Sequence, residues 1–309
     1  MDQTILAFAA EVGGTDAGAV VCVGGRTQWD VGGAADLVAR EVRAPSGVVD
    51  FEPAEMVVRV RAGTTVAELD AALAAGGQQV PLDPSMPAAA TVGGVLAVGR
   101  SGIRRLRYGP VRDTLLEVKV VTAEGTVVKA GGPVVKNVSG YDLGRVIVGS
   151  LGTLGFVAEV VLRCSPRPAV ASWWRSDDGT ADGSDPFAVR DRLFRPSTIL
   201  WDGATTWVLL EGSAADVAAE RAVLGAGWTE VEGPPVIPAG GRRSLRPSHV
   251  RSLDGEVPGS FLAEVGVGTV HVHEPVAQGV PDPSTVSLHQ RLRATFDPTG
   301  RMNPGRRVV

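Results

Sequence analysis

The alternation of apolar and polar positions predicts short strands joined by helices and glycine-rich turns. Val57-Val58-Arg59-Val60-Arg61 alternates as a half-buried strand does. Residues 66–75 repeat apolar positions at helical spacing, and the preceding Thr64-Thr65 can cap the helix. Apolar runs of strand length occur at residues 19–23, 115–122 and 156–162, and a short helix is predicted at residues 3–12.

The second half of the chain predicts a strand order of its own. A strand at 172–175, a helix at 186–194, a hairpin around Asp202-Gly203, a helix at 214–224 and a strand at 228–231 follow one another. This β-α-β-β-α-β order is typical of a ferredoxin-like lobe. Residues 233–258 are predicted to be a long loop, and strands are expected at 261–265 and 269–272.

The composition of the chain serves mainly to exclude several classes of protein. With 309 residues the chain exceeds the size of most single cores, so two lobes are expected. A net charge of −4 gives no basic surface for nucleic acid. The two cysteines exclude both a disulfide framework and a cysteine-ligated iron–sulfur centre. The N-terminus lacks a basic signal-peptide region and no apolar run could span a membrane, so a cytoplasmic protein is expected.

The candidate chemistry lies in glycine-rich turns attached to strands. Gly149, Gly152 and Gly155 recur at every third position before the strand at 156–162, a spacing that suits neither helix nor strand. The strand at 19–23 runs into Gly24-Gly25-Arg26-Thr27-Gln28, which can form a pyrophosphate-binding nest of backbone N–H groups or a plain tight turn. Thr91–Ala97 can be a helix start packed on a neighbour or a second place where backbone approaches a ligand.

The common nucleotide and hydrolase signatures are absent. The chain contains no G-x-x-x-x-G-K-[ST] loop, no G-x-G-x-x-G opening a helix and no G-x-S-x-G elbow. A P-loop nucleotidase, a Rossmann dehydrogenase and an α/β-hydrolase therefore have little support. What remains is a series of separate glycine loops, and their order along the chain is informative.

In that order the chain resembles the p-cresol methylhydroxylase (vanillyl-alcohol oxidase) type of FAD-binding domain, and within it the FAD-binding subunits of bacterial glycolate oxidases. The residues that carry the resemblance are Gly24–Thr27, Thr91–Gly94, Arg107-Tyr108-Gly109 with Asp113, Lys136–Leu143, Gly149–Gly155 and the tail Phe296–Gly305. The resemblance covers roughly the first 168 residues and the last 15. It implies an α+β fold, namely a two-subdomain FAD-binding domain with a small ferredoxin-like cap.

By that resemblance, the first glycine loop would wrap the FAD pyrophosphate, while later segments would line the flavin, ribityl and adenosine portions. The implied cofactor-binding residues are Gly24, Gly25, Arg26, Thr27, Gln28, Thr91, Val92, Gly93, Gly94, Ser101, Gly102, Tyr108, Gly109, Asp113, Gly140, Asp142, Gly149, Ser150, Gly152, Thr153, Gly155 and Val157. Many relatives attach FAD covalently through a histidine in the first glycine loop. This loop has none, so non-covalent FAD is expected.

The catalytic candidates are fewer. Related 2-hydroxy-acid dehydrogenases carry an H-x-G-D-G-N-L-H stretch and a later E-H-G, whereas this chain has only Gly266-Val267-Gly268-Thr269-Val270-His271-Val272-His273. His271 is a candidate general base or a structural histidine, and with no third ligand at useful spacing no metal is expected. Lys136 is a candidate cation beside the flavin or an ordinary surface lysine. Tyr141 is expected near the isoalloxazine.

These inferences predict an FAD domain at 1–168, a cap at 169–285 and a tail at 286–309 that returns to the FAD domain. The leading function is an oxidoreductase subunit that takes part in oxidation of a small 2-hydroxy acid with FAD as hydride acceptor. Its expected partners are a larger flavoprotein and an iron–sulfur subunit. A self-sufficient 2-hydroxy-acid dehydrogenase and a structural subunit that has lost FAD are the alternatives.

Overall fold

The computed structural model describes residues 2–34, 38–132, 143–176, 185–276 and 281–308. The helices are α1 (Gln3–Val12), α2 (Val66–Ala74), α3 (Val92–Val98), α4 (Arg105–Tyr108), α5 (Leu143–Ile147), α6 (Pro186–Arg192), α7 (Ala214–Leu224) and α8 (Pro283–Phe296). The strands are β1 (Val20–Cys22), β2 (Arg40–Val42), β3 (Val48–Glu52), β4 (Val57–Arg61), β5 (Gln78–Gln79), β6 (Leu115–Val121), β7 (Val127–Gly131), β8 (Phe156–Arg163), β9 (Ser165–Pro166), β10 (Val170–Ser176), β11 (Thr198–Trp201), β12 (Thr206–Gly212), β13 (Trp228–Val231), β14 (Gly241–Ser244), β15 (Phe261–Glu264) and β16 (Thr269–Val272).

The chain divides into two compact units. Unit 1 consists of Met1–Gly102, Pro110–Arg167 and Val280–Val309, and unit 2 of Ile103–Gly109 and Pro168–Gly279. Each has a hydrophobic core of its own. The mixture of helices and antiparallel sheets confirms the α+β prediction.

Unit 1 is built on a five-stranded sheet in the order β3-β4-β8-β6-β7, antiparallel throughout. One face buries Val58, Val60 and Val118 against the apolar sides of α2 and α3. The other face packs Phe156 against α1. Strand β8 lies at the centre of this sheet, and seven of its eight residues are buried. The glycine loop at 149–155 leads directly into it.

A network of charges covers part of the second sheet face. The buried carboxylate of Glu117 lies 2.8 Å from Arg59 and 2.9 Å from Lys129, and that of Glu159 lies 2.7 Å from Lys119 and 3.1 Å from Arg59. Burial alone would raise the pKa of Glu117, but hydrogen bonds from Arg59 and Lys129 outweigh burial, so its pKa is lowered. The network therefore ties four strands, β4, β6, β7 and β8, together through side-chain ion pairs.

Unit 2 is a seven-stranded sheet in the order β13-β10-β12-β11-β15-β16-β14. Its first four strands, numbered by their order along the chain, run 4-1-3-2 with α6 and α7 as the two helices, which confirms the predicted β-α-β-β-α-β lobe. The predicted loop at 233–258 is partly wrong, because it contains β14 and a 3-10 turn at Pro247–Leu253. The sequence Gly-Arg-Arg-Ser of β14 has no apolar alternation, and pairing with β16 makes it a strand.

Helix α8 is absent from the sequence-based prediction. Its apolar positions Leu288, Leu292 and Phe296 recur at helical spacing, but none is fully buried and the stripe is narrow. Its start is nevertheless marked by Asp282-Pro283-Ser284, in which the Asp282 side chain accepts hydrogen bonds from the N–H groups of Ser284 and Thr285. That local signal could have located the helix.

Candidate functional site

The turn after β1 presents a row of backbone N–H groups. Strand pairing ends at Val23, whose N–H donates to the carbonyl of Val42 at 2.9 Å. Among the residues that the structure describes, none accepts a hydrogen bond from the N–H groups of residues 24–28. Arg26 has φ +56°, the left-handed conformation that curves successive N–H groups into a nest. Within the described ranges these five donors have no protein acceptor, and Gly25 and Arg26 are exposed to solvent.

The two glycines of this turn are required by close backbone contact. A Cβ on Gly25 would lie 1.7 Å from the carbonyl oxygen of Ala89, and a Cβ on Gly24 would lie 2.4 Å from Oγ1 of Thr91. Thr91 in turn caps α3 by accepting a hydrogen bond from the N–H of Gly94 at 3.2 Å. The structure thus brings together the first two predicted cofactor segments, residues 24–28 and 91–94.

The start of α3 forms a wall of this site. The N–H of Val92 donates to Thr64 at 2.9 Å, and the N–H of Gly93 donates to Ala62 at 2.8 Å. The Val92 side chain is buried in the core, and a Cβ on Gly93 would lie 2.7 Å from that of Ala62. Both alternatives for this segment are therefore compatible with the fold: the helix start packs on a neighbour, and it also lies beside the nest.

The glycine loop 149–155 uses its donors within the protein. Gly149 and Leu151 donate to carbonyls at the end of α3 at 3.0 and 2.8 Å. Gly152 donates to the Ser150 hydroxyl at 3.3 Å, and the Thr153 hydroxyl donates to the Ser150 carbonyl at 2.7 Å. This loop is consequently a rigid neighbour of α3 and presents fewer free donors than residues 24–28.

The remaining predicted residues near these loops have packing contacts. A Cβ on Gly155 would lie 2.5 Å from the Val120 side chain, and the Val157 side chain belongs to the core. The Ser101 hydroxyl accepts a hydrogen bond from the N–H of Val111 at 2.9 Å, and a Cβ on Gly102 would lie 2.2 Å from that of Asp83. These residues hold neighbouring turns of unit 1 together.

Asp113 lies in a separate polar cleft of unit 1. Arg112, Arg145 and Arg163 line this cleft of about 270 Å³, and the Asp113 carboxylate lies 3.8 Å from Arg112 and 3.7 Å from Arg145. Its carboxylate is thus directed to arginines. The structure does not place it with the nest residues.

Tyr108 and Gly109 belong to unit 2. The Tyr108 hydroxyl donates to Glu211 at 3.4 Å, and Arg104 lies 5.2 Å from the tyrosine ring. Burial and the neighbouring Glu211 raise the pKa of Tyr108. The predicted residues Lys136, Gly140, Tyr141 and Asp142 lie outside the described residues.

Arg43 brings a positive charge beside the nest, whereas the charge of Arg26 is balanced by Glu41. Arg43 donates to the carbonyl of Gly24 at 3.3 Å, and Arg26 forms an exposed ion pair with Glu41. Positive charge beside free N–H groups favours a phosphate oxygen. Sequence reasoning missed Arg43, because only the parallel pairing of β1 with β2 brings residues 40–43 beside the loop.

His271 is paired with a buried carboxylate in unit 2. Its Nε2 lies 2.8 Å from Oε1 of Glu264, and Arg242 lies 3.9 Å from the same oxygen. When this Nε2 carries the proton and donates to the carboxylate, Nδ1 of the neutral ring is an acceptor. Sequence reasoning missed Glu264, although its place before the Gly266-Val267-Gly268 turn puts it on the same sheet face as His271.

Other chemistries have less support. Among the described residues no three His, Cys, Asp or Glu side chains are grouped as metal ligands. Burial raises the pKa of Cys22 to about 12 and that of Cys164 to about 11, so both stay protonated near neutral pH. None of the helices in the described part of the chain combines the length and apolar character needed to cross a bilayer.

These observations fit a dinucleotide. The glycine cradle at Gly24 and Gly25, the unengaged donors of residues 24–28 and the flanking Arg43 suit a pyrophosphate. A plain tight turn with room for side chains would not require glycine at positions 24 and 25.

Comparison with known proteins gives concordant findings. The family described as FAD binding domain matches residues 4–131. The chain is 31% identical over 302 residues to the glycolate oxidase subunit GlcE of Escherichia coli, with 86% of each chain covered. It is 35% identical to the glycolate oxidase subunit GlcD of Bacillus subtilis over 39% of this chain and 26% of that protein. A solved structure of alkyldihydroxyacetonephosphate synthase shares the fold, with a TM-score of 0.67, 15% identity and coverage of 93% of this chain and 71% of that one.

Proposed function

Because the chain belongs to the family of the glycolate oxidase subunit GlcE, we propose that it is the FAD-binding subunit of a complex that oxidises a small 2-hydroxy acid such as glycolate or lactate. The proposal rests on similarity over most of the chain and on a site that suits the cofactor. D-2-hydroxyglutarate dehydrogenase of Xanthomonas citri and D-lactate dehydrogenase of Archaeoglobus fulgidus are 36% and 39% identical over 48% and 34% of this chain. Their names indicate the same class of substrate.

The single observation that carries the proposal is the turn at residues 24–28. Its N–H groups have no acceptor among the described residues, while its glycines allow it to lie directly on Ala89 and Thr91. Gly25 and Arg26 are exposed and the other three residues of the turn are half-buried, so these donors are accessible to a bound anion. The pyrophosphate of FAD would satisfy several of these donors at once.

When bound, FAD would supply the chemistry as a hydride acceptor. The N–H groups of residues 24–28 would hold its pyrophosphate, and Arg43 would balance part of the charge, while Arg26 is paired with Glu41. His271, held by Glu264, is the candidate acceptor of the substrate hydroxyl proton. Lys136 and Tyr141 remain candidates for contact with the flavin.

FAD is proposed to bind non-covalently. Residues 24–29, Gly-Gly-Arg-Thr-Gln-Trp, offer no imidazole for attachment to the flavin. Acid precipitation of the loaded protein is therefore expected to leave the flavin in the supernatant. A yellow pellet would show that another residue forms a covalent bond to FAD.

Electrons are proposed to leave to another subunit. The two cysteines are too few for an iron–sulfur cluster, and both thiols have raised pKa values. The partners we propose are a larger flavoprotein and an iron–sulfur protein. Both GlcE of Escherichia coli and GlcD of Bacillus subtilis are named as subunits of glycolate oxidase, which supports assembly with at least one further subunit.

Three measurements test the proposal. FAD titration of the purified apoprotein is expected to produce a saturable change in flavin fluorescence. A protein that does not bind FAD would contradict the proposal. Glycolate or D-lactate with a dye acceptor should give little turnover with the isolated chain. Rapid turnover would instead indicate a self-sufficient dehydrogenase. Affinity purification from the native host should recover a larger flavoprotein and an iron–sulfur protein.

A further inference from the structure

The C-terminal segment 301–306 lies directly against β1. The N–H of Val20 donates to the carbonyl of Arg301 at 2.9 Å, and the N–H of Asn303 donates to the carbonyl of Val20 at 2.8 Å. Met302 pairs in parallel with Val20 and is fully buried. The end of the chain therefore extends the strand layer that leads into the turn at residues 24–28.

Asn303 connects two of the glycine loops. Its Oδ1 accepts a hydrogen bond from the N–H of Cys22 at 2.9 Å, immediately before the nest, and its Nδ2 donates to the carbonyl of Leu151 at 2.6 Å. A Cβ on Gly152 would lie 2.6 Å from Nδ2, so the glycine there gives the amide room. Asn303 itself has φ +42°, a conformation that asparagine tolerates better than most residues.

Arg306 holds the segment that follows the nest. One terminal guanidinium nitrogen, which carries two hydrogens, lies within hydrogen-bonding distance of the carbonyls of Trp29, Val31 and Gly33, 3.1 Å from that of Val31. The guanidinium also lies 4.3 Å from the Trp29 ring centroid, and the whole residue is only 5% exposed. These contacts use carbonyl groups of residues 29–33 and involve none of the N–H groups of residues 24–28.

A loop that keeps its donors free for a ligand cannot be fixed by those same donors. Its position must be set by the residues on either side of it. Asn303 binds the N–H of Cys22 before the turn, and Arg306 binds the carbonyls of Trp29, Val31 and Gly33 after it. We propose that Asn303 and Arg306 are positioning residues for FAD: they preorganise residues 22–33 and join them to the loop at 149–155. The inference rests on the proposed function, because it assumes that the turn at residues 24–28 binds FAD.

Arg301 provides a matched control. It lies on the same segment and is 4% exposed. Like that of Arg306, its guanidinium donates hydrogen bonds to backbone carbonyl oxygens. Those carbonyls belong to Val12, Gly13, Gly18 and Ala123, outside the two glycine loops. Loss of Arg301 therefore weakens the fold of unit 1 without acting directly on residues 24–33.

The experiment compares Arg306→Met, Asn303→Gly and Arg301→Met. Glycine at position 303 keeps the left-handed backbone conformation and removes only the bridging amide. FAD dissociation constants are measured by fluorescence titration at a temperature where circular dichroism shows all variants folded, and the visible flavin spectrum is recorded at saturation. Thermal unfolding of each apoprotein measures the structural effect separately.

We expect the FAD dissociation constant to rise about tenfold or more in Arg306→Met and Asn303→Gly, because binding must then reorder the loop. For Arg301→Met we expect a lower Tm with an FAD dissociation constant within about twofold of the wild type. Equal affinity losses in all three variants, or unchanged affinity in Asn303→Gly and Arg306→Met, would overturn the positioning role while FAD binding by the wild type stands. A wild-type protein that binds no FAD would overturn the proposed function and this inference together.

Discussion

Replacing Gly25 with alanine tests the cofactor site most directly. The backbone of Gly25 does not have a positive φ, so alanine introduces no conformational strain of its own. Its Cβ would lie 1.7 Å from the carbonyl oxygen of Ala89, whereas ordinary contacts begin at 3.4 Å. The two segments would therefore have to separate by roughly 1.7 Å to reach ordinary contact, and both Gly25 and Ala89 lie at the surface of unit 1.

The magnitude follows from packing and from the donors that the shift displaces. Because both residues are exposed, we expect this overpacking to lower the free energy of unfolding by only about 1 kcal/mol, or roughly 2–4 °C in Tm. Displacement of one N–H group from a phosphate oxygen removes about 1.5–3 kcal/mol of binding free energy. The FAD dissociation constant should accordingly rise about 10- to 100-fold.

The assay is FAD titration and thermal unfolding of Gly25→Ala beside Gly14→Ala. At Gly14 a Cβ would meet only the Glu124 carbonyl at 3.6 Å, and φ is −81°. Gly14→Ala should therefore bind FAD as the wild type does and unfold at a similar temperature. If Gly25→Ala matched Gly14→Ala in both measurements, the close approach of residues 24–25 to Ala89 would have no role in FAD binding.

Further predictions concern the charged and capping groups. Glu264→Gln should lower the free energy of unfolding in urea by about 1–2 kcal/mol, because the bond to His271 loses its charge; an unchanged midpoint would contradict that pairing. The pKa of Glu117 is lowered in the folded state from its ordinary 4.5, so its contribution to stability is present above pH 4.5 and is lost as pH falls through the lower folded value. Melting curves from pH 7 to about pH 3 should show an acid decline that is shallower in Glu117→Gln. Asp297→Ala should lower the free energy of unfolding by about 2 kcal/mol. The N–H groups of Arg301 and Met302, 3.1 and 2.8 Å from the Asp297 carboxylate, would lose their acceptors. Thermal unfolding measures this loss, and Asp297→Asn is the conservative control.

Local pattern was sufficient where the structure depends on neighbours in the chain. The helix predicted at residues 66–75 is observed at Val66–Ala74, with Thr65 and Glu68 forming a capping box. The hairpin predicted around Asp202-Gly203 joins β11 to β12, and the Asp202 side chain accepts hydrogen bonds from Ala204 and Thr205. In both cases the decisive hydrogen bonds link residues two to three positions apart.

Pattern was insufficient where pairing partners are distant. Strands β2 and β14 carry little apolar alternation, and they exist because β1 and β16 supply the other side of the ladder. The cofactor segments illustrate the same limit. Composition marked the glycines of residues 24–28 and 149–155 alike, but only the hydrogen bonds show that the first turn keeps its donors free while the second uses most of them.

The sequence by itself determined the α+β class, the strand order of the small lobe and the presence of glycine turns suited to a dinucleotide. These follow from side-chain period and from the backbone freedom of glycine, which are local properties. The tertiary structure alone decided that Arg43 flanks the nest, that Glu264 holds His271, and that Asn303 and Arg306 reach back nearly the whole length of the chain to the glycine loops. Such contacts join residues far apart in the chain, and they form only when the packing of whole elements brings the two sides together.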